Sequence, residues 1–146
     1  MLTILSLIVT LSVLILIHEF GHFFAAKAVG IYAPRFSLGL GPRVAGFRVG
    51  ETEFVLSAIP LGGYVKMAGM EGDEASEALE GGEAQDAPVD PSRSFDAKPI
   101  WARTLVISAG VIMNLIFAFV VFTGLSMWYG ETLDPSTRLD STAAAG

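Results

Sequence analysis

Not one charged residue lies between Thr104 and Tyr129, and none lies between Met1 and Ile17. The first apolar block resumes from Phe23 to Val29, after a short interruption that carries His18, Glu19 and His22. A helix needs about 20 mainly apolar residues to cross the hydrocarbon of a bilayer, so both blocks qualify as spans. A cleaved signal peptide would have a basic leading region and a short apolar core. Here no Lys or Arg precedes Lys27 and the apolar stretch is longer, so the first block is expected to stay as a permanent span.

The composition, 52% hydrophobic against 16% charged, agrees with two membrane elements joined by a polar middle. The net charge of -6 is local in origin, because eight acidic residues and no basic one fall between Glu71 and Asp90. Eight of the nine Lys and Arg residues lie between the spans, which by the positive-inside rule puts the middle of the chain in the cytoplasm. No basic stripe with interleaved aromatics points to nucleic acid. With no cysteine, disulfides and thiolate metal sites are both excluded.

The expected order of segments follows. Residues 1–30 form the first transmembrane helix, ending at Gly30 where a C-terminal glycine belongs. Residues 31–68 read as short strands and turns, with a hairpin between Arg43–Val49 and Glu53–Ile59 around a three-residue loop, Gly50 to Thr52. Such a small sheet needs the helices to lean on. Residues 69–98 form an acidic, solvated linker, with a helical stretch around Glu74 to Leu79 as its one candidate element. Residues 99–130 form the second transmembrane helix, anchored by Trp101 and Arg103 at one interface and Trp128 and Tyr129 at the other. Residues 131–146 open a further, extracytoplasmic segment. The fold class is therefore an α-helical multi-pass membrane protein, with a small membrane-associated antiparallel β-hairpin region between two helices.

His18 and His22 stand four residues apart, so both imidazoles leave one face of a helix and can share one Zn2+ ion. At about 1.5 Å per residue they lie near 25 Å into the first helix, inside the cytoplasmic half of the membrane. Glu19 beside them can act as general base and acid for hydrolysis at the metal. In a soluble protein such a triplet is often an ordinary surface helix. In a membrane helix each ionisable residue costs on the order of 2.5–3.5 kcal/mol at the bilayer centre, which argues for a bound partner. Asn114 is the one strongly polar side chain of the second span, and by itself it fits either helix packing or a site.

The sequence His18-Glu19-Phe20-Gly21-His22 at the end of a first span resembles the site-2 protease family of intramembrane zinc metalloproteases, closest to the bacterial branch that cleaves anti-sigma factors. Phe36-Ser37-Leu38-Gly39-Leu40-Gly41-Pro42, Ile59 to Met67 and Trp101 to Asn114 share the likeness. The resemblance implies a zinc endopeptidase of the bacterial inner membrane, acting on single-pass membrane protein substrates within the lipid bilayer, with its active site towards the cytoplasm. It implies that the strands bearing Gly39, Gly41, Gly62 and Gly63 receive the substrate, whereas on spacing alone these are turn glycines. It also implies that Asn114 orients the scissile peptide. Where the family pattern has proline, this chain has Val111. The family's third zinc ligand is an aspartate on a later membrane helix, and no residue here matches that segment, so the chain is expected to be an N-terminal fragment, inactive alone. The alternatives are a membrane metal-binding or transport protein and a non-catalytic scaffold.

Overall fold

The computed structural model describes residues 1–70 and 90–130. The helical stretch expected around Glu74 to Leu79 and the tail after Gly130 lie outside the described residues. The elements run α1 (Leu2–Ala28), β1 (Arg35–Val49), β2 (Thr52–Lys66), a 3-10 turn (Pro91–Arg93) and α2 (Ile100–Tyr129). The chain divides into two compact units at Leu115. The first holds α1, the sheet and the first half of α2. The described part of the second is the remainder of that helix.

Both helices are long and apolar enough to cross a membrane. A helix satisfies its own backbone hydrogen bonds, which is what an element in lipid must do. Neither is the core helix of a soluble protein, because none of the most apolar window of α1 and only 11% of that of α2 is buried. Leu2, Ile4 and Leu7 on α1, like Phe119 and Phe122 on α2, are uncovered by protein. Such contiguous apolar surface calls for a non-aqueous neighbour.

The exit from α1 is set by Gly30, whose φ is +71°. Its N–H donates to the Lys27 carbonyl, and the Ile31 N–H donates to the Ala26 carbonyl at 2.8 Å. This pair of reversed bonds satisfies two carbonyls of the last turn. Ile31 and Ala26 then join Met67, Phe95 and Val106 in one buried cluster. A second cluster of Phe23, Ala33 and Phe36, flanked by Phe20 and Phe54, seats the sheet on α1.

β1 and β2 pair antiparallel, and both strands are folded over. Val49 faces Thr52, so the turn has two residues, Gly50 and Glu51, one fewer than the sequence suggested. Gly50 takes φ +60°, which the first position of a tight primed turn requires. Ahead of this hairpin, Arg35–Leu38 has partners on both sides. It meets Lys66–Gly63 on one side and Glu53–Leu56 on the other. The bends fall where the register shifts around Leu38, Leu40 and Arg43, and Gly39 and Gly41 stand there. A Cβ on Gly39 would come within 2.5 Å of the Ile59 carbonyl oxygen, so only glycine lets the strands approach there.

Residues 90–98, expected to belong to the solvated linker, instead fold onto the sheet and α1. The Tyr32 N–H donates to Arg93 O, the Phe95 N–H donates to Ala68 O, and the Phe95 ring is buried. The acidic composition of the preceding segment hid this, because one aromatic ring and two backbone bonds leave little trace in a composition window. Arg93 also forks onto Glu51 at 2.7 and 2.8 Å, and Lys27 reaches the same carboxylate at 2.5 Å. This triad ties the end of α1, the hairpin turn and the approach to α2.

The Arg93 fork first, and Lys27 second, hold the Glu51 carboxyl down to about 2 from an ordinary 4.5. A depressed carboxyl pKa stabilises the fold above its ordinary value, and that stability is lost as pH falls from about 5 towards 2. Glu51 is partly exposed, so solvent screening reduces the expected contribution to about 1 kcal/mol. Glu51→Gln should flatten the pH dependence of the unfolding midpoint between pH 5 and 2 in detergent micelles. An unchanged slope would deny the triad this role.

Candidate metal centre

Helical spacing carries His18 and His22 one turn apart on α1, and their Nε2 atoms converge to 3.1 Å. Two nitrogens that share one zinc at about 2.0–2.1 Å and a tetrahedral angle stand about 3.3 Å apart, so the pair fits one ion. The other ring nitrogen of His22 is fixed, because Nδ1–H donates to the Val106 carbonyl at 2.7 Å. A carbonyl can only accept, so the proton sits on Nδ1 and the Nε2 lone pair is left for a metal.

The space in front of the imidazoles is kept open by α2. A Cβ on Gly110 would stand 2.5 Å from His22 Nε2 and 2.6 Å from His18 Nε2. The helices come this close because Gly21 of α1 lies directly against the backbone of Ala109 and Gly110. Small residues allow such approach between helices in lipid. Asn114, one turn beyond Gly110, places Nδ2 3.5 Å from His18 Nδ1, while its buried Oδ1 lacks a partner among the described residues. Converging nitrogens, a gap only glycine permits and an unpartnered polar atom are what a metal centre requires of its surroundings.

The Glu19 side chain lies against Gly63 of the sheet. It lines, with His22, Gly63, Tyr64, Val106 and Ile107, a cleft of about 270 Å³ whose walls are mainly apolar. A Cβ on Gly63 would come within 3.1 Å of Glu19 Cγ, so the absence of a side chain there brings the strand to the carboxylate. Gly63 to Lys66 pairs with Leu38 to Arg35 of β1 and forms an edge of the sheet.

His18, Glu19, His22, Gly63 and Asn114 are therefore brought together. Gly39, Gly41 and Gly62 stand at the bends of the sheet, each with a positive φ. Among the described residues no group of three His, Cys, Asp or Glu side chains could hold a metal ion. Asp90 is occupied elsewhere, accepting from the Ser92 N–H at 2.9 Å. Sequence reasoning missed Val106 and the packing role of Gly21 and Gly110. The available signal was the spacing of Val106, Gly110 and Asn114, two successive helical turns on one face of α2.

The family model described as Peptidase family M50 matches residues 6–144. A protein of Clostridium perfringens, provisionally named a zinc metalloprotease, is 45% identical over 119 residues, covering 82% of this chain and 31% of its own. Two cyanobacterial proteins carry the same provisional name: one of Synechocystis is 39% identical, covering 97% of this chain and 37% of its own. The other, of Nostoc, is 42% identical, with shares of 97% and 36%. The chain thus spans about a third of the length of these relatives. The matched region includes both histidines, Glu19, the sheet and α2, and the chain belongs to peptidase family M50, the site-2 protease family.

Proposed function

We propose that this chain carries part of the active site of a zinc metalloendopeptidase that cleaves single-pass membrane proteins, such as anti-sigma factors, within or beside their membrane segment. One observation carries it: two imidazole nitrogens 3.1 Å apart face a gap that only glycine leaves open, with Glu19 lining the adjoining cleft. His18 and His22 hold zinc, which supplies the Lewis acidity that makes water a nucleophile near neutral pH. Glu19 takes the proton of the attacking water and delivers it to the departing amine nitrogen as the C–N bond breaks.

A helical substrate hides its peptide bonds and has to be unwound before attack. The edge of β2 beside Glu19 offers main-chain hydrogen bonds to an extended segment, and Gly63 brings that segment close to Glu19. Gly39, Gly41 and Gly62 set the course of the strands that present this edge. Catalytic zinc takes three protein ligands, and two are found among the described residues. The third ligand is read as an acidic residue outside the described residues. We place the protein in the bacterial inner membrane as a multi-pass protein, with the basic middle segment in the cytoplasm. A transport role is less well supported, because an ion path needs successive ligating groups.

The test uses the full-length protein in membranes with a tagged single-pass substrate. Chelation of zinc should stop cleavage, and added zinc should restore it. Cleavage that continues at full rate after the metal is removed would overturn the proposal.

A further inference from the structure

Asn114 has two possible partners, a bound peptide or the protein itself, and the structure favours the second. Its Oδ1 is buried without a partner among the described residues, while Nδ2 faces His18 Nδ1 at 3.5 Å. The two ends of an amide have nearly the same shape, so their assignment follows from the hydrogen bonds around them. Those bonds are constrained from His22. With its proton on Nδ1, donated to Val106 O, His22 presents a bare Nε2 to the gap. For His18 to present its own Nε2 in the same way, its proton has to sit on Nδ1. An Nδ1–H facing an NH2 group sets two donors against each other. Turning the amide over puts Oδ1 there as an acceptor. Either orientation leaves one end of the amide unpartnered, so the proton on His18 decides between them.

Resting on the zinc site proposed above, we infer that Asn114 is a positioning residue for His18: its Oδ1 accepts from His18 Nδ1–H and aims Nε2 at the metal. One face of α2 then serves both imidazoles in the same manner. Val106 supplies a backbone acceptor for His22, Gly110 leaves the gap, and Asn114 supplies a side-chain acceptor for His18. The i, i+4, i+8 spacing on α2 runs opposite to His18 and His22 on α1, as expected where helices cross antiparallel. The helix backbone alone does not provide the second acceptor, which accounts for a polar side chain at a position otherwise suited to an apolar one. Outer hydrogen bonds of this kind fix the tautomer of a ligating histidine and raise its basicity.

The experiment compares the full-length wild type with N114A and N114D in lipid nanodiscs. Zinc affinity is measured by competition with a chromophoric chelator, and His18 protonation by 15N spectra of labelled histidine. N114A should weaken zinc binding about 10- to 100-fold, the usual effect of losing an outer partner. It should also move the His18 proton off Nδ1 in part of the population. N114D keeps an oxygen acceptor and should retain both the affinity and the Nδ1–H signal. Zinc affinity of N114A equal to wild type would overturn the inference while leaving the zinc site intact. Equal loss in N114A and N114D would also overturn it, in favour of a role for the amide N–H. Failure of the wild type itself to bind zinc would overturn the metal site and this inference together.

Discussion

Glu19→Gln in the full-length protein is expected to lower cleavage of a single-pass substrate about 10²- to 10⁴-fold, the range that general acid–base catalysis contributes, with zinc still bound. The substitution keeps the size and shape of the side chain but removes the group that accepts a proton. Glu19 lines the same cleft as His22, and its Cγ sits where Gly63 brings in the strand. The two zinc ligands proposed here are the histidines, so its loss should leave the metal in place. Cleavage rate and zinc content, measured on equally expressed protein, separate the two effects. Wild-type cleavage by the variant would assign the hydrolysis to another protease. Joint loss of zinc and cleavage would instead make Glu19 part of the metal site.

Gly110→Ala is expected to abolish stoichiometric zinc binding, and with it all cleavage. The new methyl would lie 2.5 Å from His22 Nε2 and 2.6 Å from His18 Nε2, in the space in front of both nitrogens. It would also lie on a helix pressed by Gly21 against the backbone of Ala109, so α2 has little room to retreat. The imidazoles then have to swing apart, a strain of roughly 1–3 kcal/mol for overpacking, which a folded protein can survive without its metal. Gly124→Ala is the matched control. A Cβ on that glycine would meet nothing within 4 Å, and alanine is the better helix former, so zinc content should be unchanged. A full complement of zinc in Gly110→Ala would mean that the metal lies elsewhere.

Much of the candidate site could be read directly from the sequence because its core is local. His18 and His22 meet through the pitch of one helix, and Glu19 is their immediate neighbour in the chain. The end of α1 at Gly30 and the turn near Gly50 were equally legible, since each depends on a glycine that can take positive φ. The register of the sheet was not. Arg35–Leu38 has partners on both sides, and the double pairing follows from bends at glycines that a strand-by-strand reading takes for ends. Phe95 was lost for a related reason: a lone ring after an acidic run carries no periodicity.

By itself the sequence determined two apolar helices, a zinc-type histidine pair with its carboxylate, and a glycine-bearing sheet between them. Each of these rests on interactions between residues a few positions apart, where helix pitch, turn chemistry and apolar run length leave little freedom. Only the tertiary structure decided which face of α2 meets the histidines. His22 and Val106 are 84 residues apart, and His18 and Asn114 are 96 apart. No local rule fixes the rotation of one apolar helix against another, since lipid is as good a neighbour for its side chains as protein. That rotation is set by the close contact of Gly21 with Ala109 and Gly110. It is what turns an unremarkable glycine and a solitary asparagine into the far wall of the proposed metal centre.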